Sequence, residues 1–156
     1  MIAPMVDLDV TAQLDALRQA LAGGGMPAAL ALLNDRTHFR FTGVYKLSGD
    51  VMLARHIHDR VGEQRTWPRV IPLSRSFCGH VLAHGEFMTR AASFDQRIPE
   101  HPYPGLIEGY YGCLLRQPGG QPWGTLFHFD MNPCELPKDE IAFLARATPL
   151  LATHLD

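Results

Sequence analysis

The sequence predicts an α+β domain in which helices pack on the faces of a mainly antiparallel sheet. Apolar residues recur at helical spacing near both ends of the 156-residue chain, and two hairpins of alternating residues lie between them. The predicted elements run helix, hairpin, helix, hairpin, helix, without the βαβ rhythm of a parallel sheet. The length suits a single domain over 1–156, with a helical lead-in at 1–27 and a core at 28–155.

The N-terminal segment is predicted to be helical because its apolar residues are spaced four, three and four apart, on one helical face. These residues are Val10, Leu14, Leu17 and Leu21. The glycines at 23–25 are expected to break the helix. Pro27 then suits the first turn of a short helix over 28–33.

The first predicted hairpin lies in the middle of the chain. Residues 38–48 alternate between apolar and polar, and 51–58 supply the second strand across a glycine-containing turn. Residues 69–73 suit an edge strand, because Pro72 has no N–H to donate to a ladder.

A short central helix is expected next. Ser74 or Ser76 can cap it, and Gly85 ends it after about Ala83. A short strand follows at 87–89. The proline-rich segment 93–108 is longer than a simple connection, and such loops tend to form lids or binding segments.

The chain closes with a second hairpin, at 110–116 and 123–130, and a helix that begins at Pro137. Pro149 is expected to kink this helix or to start a new turn. The predicted apolar seam of the helix consists of Ile141, Leu144, Thr148, Leu151 and Leu155. This seam and the N-terminal one either pack on their own sheet or form a helical bundle between subunits.

Composition narrows the function classes. Lysine and arginine total 14 against 16 aspartates and glutamates, and this formal net charge of −2 argues against binding nucleic acid. The N-terminus has no signal-peptide pattern, and no apolar run approaches the roughly 20 residues of a membrane span. The three cysteines lack disulfide or metal spacing, so we expect a reduced, cytoplasmic protein without membrane association.

Basic residues are concentrated in the middle of the chain. Residues 36–90 contain nine basic and four acidic side chains, whereas both flanking regions are acidic. Two interpretations remain open: the arginines bind an anionic small ligand, or they form a solvated face.

Several segments, in order, resemble the GAF domain family. Residues 76–80 read Ser-Phe-Cys-Gly-His, as in many bacterial GAF domains, and 95–97 match their D-x-R pattern. Residues 110–115 and 124–130 fall where such domains carry F-Y-x-G-x-P-L and G-x-L-x-x-x-D, although Leu114 replaces the proline. The segment 40–45 resembles their first strand. The resemblance covers roughly residues 28–155.

The resemblance implies a central antiparallel sheet of about six strands flanked by helices, with the N- and C-terminal helices packed together. A ligand pocket is implied between the sheet and the 85–110 connection. The implied function is a non-catalytic, small-molecule-binding sensor that signals through a homodimer or a separate signalling protein. The ligand stays unidentified, no cofactor is expected, and the family's cyclic-nucleotide motif is not present. Because no output domain follows the implied core, a stand-alone or partner-coupled sensor is expected.

Cys78 is the strongest candidate for chemistry. In the first turn of a helix, backbone N–H groups lower a thiol pKa, and Arg75 and His80 lie nearby. The free methionine-R-sulfoxide reductases, a GAF subgroup, use a catalytic cysteine in a comparable segment, so a thiol-dependent reductase is the alternative function. That subgroup also uses cysteines before and after the segment, and none occurs here at 60–77 or 79–112. Otherwise Cys78 is a small buried core residue.

The histidines offer a metal-binding alternative. His56 and His58 share a strand face, and His80 and His84 share a helix face, so a site would require the two faces to meet. No metal ligands are assigned, because solvated or core-edge histidines account for the pattern. A PAS-like cofactor-binding domain is a further alternative.

The remaining candidates lie in the loop and the second hairpin. Asp95 and Arg97 form a local ion pair that fixes the loop, or else Arg97 faces an anionic ligand. Alternation places Tyr111 and Cys113 on the sheet face opposite Tyr110, and aromatic residues including Tyr103 line a pocket or fill the core. The residues assigned to ligand binding are Cys78, His80, Asp95, Arg97, Tyr111, Cys113 and Phe127.

Overall fold

The computed structural model describes residues 3–63, 68–75, 77–98 and 107–155. Six strands form one sheet: β1 Phe41–Ser48, β2 Val51–Asp59, β3 Val70–Pro72, β4 Glu86–Thr89, β5 Gly109–Arg116 and β6 Pro122–Asp130. Their order across the sheet is β3-β2-β1-β6-β5-β4, and every neighbouring pair is antiparallel. The predicted α+β class is confirmed, as are both hairpins and the edge position of the Pro72 strand.

Three helices cover the sheet: α1 Ala3–Asp35, α2 Phe77–His84 and α3 Lys138–Ala152. Helices α1 and α3 pack together on one face of the sheet, and we call this core the α1–α3 layer. Helix α2 packs on the other face, over a core that we call the α2 layer. No helix in the described part of the chain is both long and apolar enough to cross a bilayer.

Helix α1 is bent at the predicted place. Gly25 has φ 67° and ψ −157°, a backbone conformation outside the helix that glycine adopts without a Cβ clash, and Pro27 begins the next turn. Both segments of α1 pack in the same layer, with Leu17 and Leu30 fully buried. The N-terminal apolar seam therefore packs on its own sheet.

Helix α3 follows Pro137 as expected, but its buried face is rotated from the predicted seam. The buried residues are Glu140, Phe143, Leu144, Ala147 and Leu151. Ile141, Thr148 and Leu155 are only partly buried, because the sheet lies against the 140/144/147/151 arc of the helix. The helix runs through Pro149 to Ala152 without a new start. Pro149 has no N–H to donate to the carbonyl of Ala145. Because Ala145 is exposed, water can bond this carbonyl instead.

A buried chain of hydrogen bonds links the end of α1 to the sheet. The Asn34 amide donates to Thr42 Oγ1 at 2.9 Å, and Thr42 Oγ1 lies 2.6 Å from His128 Nδ1. A hydroxyl can both donate and accept, so Thr42 can bond Asn34 and the His128 ring at the same time. Arg60 donates to Asn34 Oδ1 at 3.1 Å, which extends the chain to the end of β2.

Candidate functional site

Helix α2 brings the Ser-Phe-Cys-Gly-His segment onto the sheet. A short 3-10 turn at Leu73–Arg75 precedes it, and a Cβ at Gly79 would lie 2.9 Å from the Leu73 carbonyl oxygen. Only glycine therefore allows this close approach of the helix to the turn. Gly85, at φ 87°, ends the helix with a 2.7 Å bond to the Val81 carbonyl, as predicted. The Ser76 cap and the Arg75 side chain lie outside the described residues.

Cys78 is the second residue of α2 and points into the α2 layer. Its side chain is 4% exposed, and its sulfur lies 3.3 Å from Thr125 Oγ1 on β6. None of the three cysteines, all of which lie in the described part of the chain, forms a disulfide bond. The thiol is thus enclosed between helix and sheet.

The Tyr110 hydroxyl lies beside Cys78 and is the polar atom that the sequence prediction missed. Tyr110 is 3% exposed, and no described group meets hydrogen-bond geometry with its oxygen. Burial, and then the neighbouring Cys78 thiol, raises the pKa of Tyr110, so the hydroxyl stays a neutral donor. A Cβ at Gly112 would lie 2.5 Å from this oxygen, so the Tyr110 ring occupies the space that Gly112 leaves open.

Aromatic rings make up much of the rest of the α2 layer. Phe127 is buried at the centre, with ring centroids 5.2 Å from Tyr45, 5.6 Å from Phe129 and 6.4 Å from Tyr110. Phe77 of α2 stands 4.8 Å from the Tyr110 ring. Cys78, Thr125 and Tyr110 therefore place polar groups within a largely apolar layer.

Asp95 and Arg97 form the predicted local ion pair. The Arg97 guanidinium donates to both Asp95 carboxylate oxygens, at 2.9 and 2.6 Å, and this contact holds the pKa of Asp95 well below its usual range. Arg97 also donates to the Met88 carbonyl at 2.6 Å and lies 4.5 Å above the Phe87 ring. The pair fixes the 95–97 turn against β4.

An open groove runs along β4, the exposed edge of the sheet. One lobe, about 570 Å³, is lined on the α2 side by His80, Phe87 and Arg97. A second lobe, about 420 Å³, is lined on the α3 side by Cys113, Leu114, Leu144 and Ala145. Both lobes share His84, Glu86, Tyr111 and Ile141, and we call them together the edge groove.

The floor of the edge groove contains Tyr111, Glu86 and Cys113. The Tyr111 hydroxyl donates to Glu86 at 2.7 Å, and burial raises the pKa of Tyr111. Burial, assisted by the Glu86 charge, raises the pKa of Cys113 to about 12, so this thiol is protonated at neutral pH.

The structure divides the seven predicted ligand-binding residues. Cys78 and Phe127 lie in the α2 layer, and the carboxylate of Asp95 forms an ion pair with Arg97. The other four line the edge groove: His80, Arg97, Tyr111 and Cys113. The alternation of β5 correctly separates Tyr111 from Tyr110, because alternate side chains of a strand face opposite sheet surfaces. Tyr103 and the prolines at 99, 102 and 104 lie outside the described residues.

The two histidine pairs occupy different places. His56 lines a small cleft with Trp123 and His154, whereas His80 and His84 line the edge groove. Within the described ranges, no group of three or more histidine, cysteine or acidic side chains is arranged to hold a metal ion.

Known proteins resemble this chain in structure. No family model matches the sequence, and no curated protein matches it. Among solved structures, the GAF domain of an Acinetobacter phosphoenolpyruvate-protein phosphotransferase is similar, with a TM-score of 0.74 and 15% identity over 95% of this chain and 91% of that chain.

Two reductases are also similar in structure. The free methionine-R-sulfoxide reductase of Neisseria meningitidis, solved with its substrate, has a TM-score of 0.71 and 13% identity, covering 90% of this chain and 84% of that chain. The type II enzyme of Thermoplasma acidophilum has a TM-score of 0.67 and 17% identity, covering 90% and 92%. The chain therefore has the fold of a GAF domain. At these identities the likeness describes the fold alone, and both sensors and reductases share it.

Proposed function

We propose that the chain is a sensory domain that binds a small molecule in the α2 layer and catalyses no reaction of its own. The observation that carries this proposal is the Tyr110 hydroxyl, a buried donor beside the Cys78 thiol that makes no well-formed hydrogen bond to the described residues. An unsatisfied buried polar group costs roughly 1–3 kcal/mol. A ligand that accepts a hydrogen bond from Tyr110 recovers this cost, with Cys78 and Thr125 beside it and aromatic rings around it.

Thiol catalysis has weaker support. A thiolate is the reactive form of cysteine, and burial raises the pKa of both Cys113 and Cys134. Cys78 is enclosed beneath α2, with Thr125 as its neighbour. A reductase relay needs a second thiol that reacts, and these pKa shifts oppose one at either of the other two cysteines.

The ligand proposal is tested by native mass spectrometry of the purified protein and a thermal-shift screen of small polar metabolites. A compound that binds in the α2 layer raises the melting temperature of the wild type. We expect Tyr110→Phe to lose about tenfold in affinity for that compound, the equivalent of one hydrogen bond.

Tyr111→Phe is the matched control, since it removes the same group from the opposite sheet face, where Glu86 is the partner. Its affinity should equal that of the wild type. Equal losses in both variants, or no loss in Tyr110→Phe, would remove the α2 layer as the site.

The second candidate function is a reductase of free methionine sulfoxide centred on Cys78. The observation in its favour is the position of Cys78 at the start of α2, beside two hydroxyl groups, in a fold shared with such enzymes. The assay supplies free methionine-R-sulfoxide and dithiothreitol as the reductant. Turnover that disappears in Cys78→Ser and persists in Cys113→Ser would replace the sensor proposal with this one.

We also propose that the signal passes to a separate protein or to a second copy of the chain. The apolar seams of the terminal helices pack largely inside the monomer, where Leu17 and Leu151 are fully buried. A dimer would therefore have to use another surface. Sedimentation at roughly 100 µM tests for the homodimer, because association increases with concentration. A monomer at that concentration would leave the separate protein as the output.

A further inference from the structure

Among the described strands, β4 has β5 as its one neighbour, and half of its backbone faces outward. The Leu114 amide donates to the Gly85 carbonyl, and Phe87 is opposite Gly112 in the same antiparallel register. Hydrogen-bonded and non-bonded pairs alternate along such a ladder, so Phe87 faces β5, whereas Glu86 and Met88 point their N–H and C=O groups away from the sheet.

One of these outward groups is already satisfied. Arg97 donates to the Met88 carbonyl at 2.6 Å. The Glu86 amide, the Glu86 carbonyl and the Met88 amide face the edge groove instead, with no partner among the described residues. Exposed edge groups of this kind are a template for pairing with another strand.

The edge groove has the shape that an added strand needs. It follows β4 between two walls, with His80 and His84 of α2 on one side and Ile141 and Ala145 of α3 on the other. Alternate residues of an extended segment would point to these two walls in turn. Because side chains of both helices line the groove beside β4, it fits one extended segment better than the edge of a second folded domain.

The walls differ in chemistry. The α3 lobe has apolar positions at Leu144, Ala145 and the protonated Cys113 thiol, set among polar side chains that include Thr148. The α2 lobe ends at Arg97, whose Nε and Nη2 bind Asp95 and Met88 while Nη1 makes no hydrogen bond to the described residues. Arg116 lines the opposite end of the groove. Arginine at both ends complements acidic groups, and Glu86 is the only carboxylate among the described residues of the lining.

We propose that the edge groove binds an extended acidic segment of a separate protein, which adds to the sheet as a seventh strand beside β4. Its backbone pairs with the outward groups of Glu86 and Met88. Its apolar side chains enter the α3 lobe, and its carboxylates face Arg97 and Arg116. This surface is independent of the ligand site in the α2 layer, so each proposal can fail alone.

The test is a display selection in which the folded wild-type chain captures random peptides of about nine residues, long enough for one strand. Counter-selection uses Met88→Pro, which removes an outward N–H and leaves the bonds to β5, as an edge-strand proline is tolerated when its nitrogen faces solvent. Met88→Ala is the matched control, because it loses the side chain and keeps the N–H. Equal urea midpoints check that both variants fold.

We expect enriched peptides in which acidic and apolar residues alternate. Their affinity should fall at least about tenfold with Met88→Pro and change less than about threefold with Met88→Ala. Methylation of a backbone nitrogen of the peptide should abolish binding only at every second residue, since alternate amides of the added strand face β4. Hydrogen exchange should slow at the Glu86 and Met88 amides and stay unchanged at Phe87.

Failure to enrich any peptide over the Met88→Pro protein would overturn the proposal. So would binders that tolerate Met88→Pro, or that prefer lysine over aspartate. Self-association of the chain that Met88→Pro abolishes would assign the edge to a second copy, again contrary to the proposal.

Discussion

The Glu140 carboxylate accepts three hydrogen bonds from the Arg36 guanidinium, at 2.9, 2.9 and 3.2 Å. Arg36 also donates to Gln13 at 2.9 Å and lies 3.6 Å from the centre of the Phe143 ring. Glu140 is 7% exposed, in the first turn of α3. One arginine thus joins the first segment of α1, the end of α1 and the start of α3.

We expect Arg36→Ala to lower the free energy of unfolding by about 3 kcal/mol, because it leaves the buried Glu140 charge without its partner. Urea titration at neutral pH measures the change. The control is Arg18→Ala, which breaks a pair with Asp15 that is half exposed on both sides. That loss should stay below about 0.5 kcal/mol. Equal losses in the two variants would mean that burial of Glu140 does not strengthen the pair.

The Arg36–Glu140 pair also marks the limit of prediction from the sequence. Its members are 104 residues apart, and no local pattern connects them. The hairpins, the end of α2 at Gly85 and the opposite faces of Tyr110 and Tyr111 could be predicted, because alternation and glycine positions report local backbone geometry. The rotation of α3 depended on which arc the sheet covers, which is a tertiary property.

The candidate site was predictable in parts for the same reason. His80, Arg97, Tyr111 and Cys113 were singled out from their own segments, but that they line one groove follows from β4 being the edge strand. Strand order depends on long-range pairing. The missing partner of the Tyr110 hydroxyl depends on every group packed around it, so it could not be read from the sequence.

His128 should make stability depend on pH. Burial, assisted by the Arg60 charge, lowers the pKa of His128 to about 3 in the folded protein, against about 6.5 in an unfolded chain. Between these two pKa values, His128 binds a proton in the unfolded state and stays neutral in the folded state. The free energy of unfolding therefore decreases as the pH falls below about 6.5, by up to ~1.4 kcal/mol per pH unit. Urea titrations from pH 7 to pH 4.5 measure this slope.

His128→Gln should be less stable at pH 7, because it replaces a fully buried ring, and should have a shallower slope, since glutamine does not ionise. His154→Gln, at an exposed position, should keep the wild-type slope. Arg40 and Arg97 lower the pKa values of Asp59 and Asp95, whose contributions are lost only below about pH 4. A slope that is unchanged in His128→Gln would assign the dependence to other groups.

The contact between Gly112 and Tyr110 predicts a rescue. A Cβ at Gly112 would lie 2.5 Å from the Tyr110 oxygen and 2.8 Å from Val81 Cγ2, so Gly112→Ala should cost roughly 1–3 kcal/mol. Tyr110→Phe alone should be neutral or stabilising without ligand, because it removes an unsatisfied buried hydroxyl. In the double variant the cost of the alanine should decrease. A double-mutant cycle by urea titration measures the coupling, and strict additivity would contradict the contact.

The Cys113 thiol should resist alkylation in the folded protein. With its pKa raised to about 12, about one molecule in 10,000 carries the thiolate at pH 8. Iodoacetamide should therefore modify Cys113 at least roughly 100-fold more slowly in the folded than in the urea-unfolded chain, as measured by peptide mass spectrometry.

Glu86→Gln removes the negative charge near Cys113 and keeps an acceptor for Tyr111, so it should lower the pKa of Cys113 and speed the reaction. Burial is the larger cause, so the variant should still react more slowly than the unfolded chain. Glu135→Gln, a charge change beside Cys134, should leave the Cys113 rate unaltered. Folded Cys113 that reacts as fast as the unfolded chain would mean that its thiol is solvated, and Cys113 would then not be an apolar position of the α3 lobe.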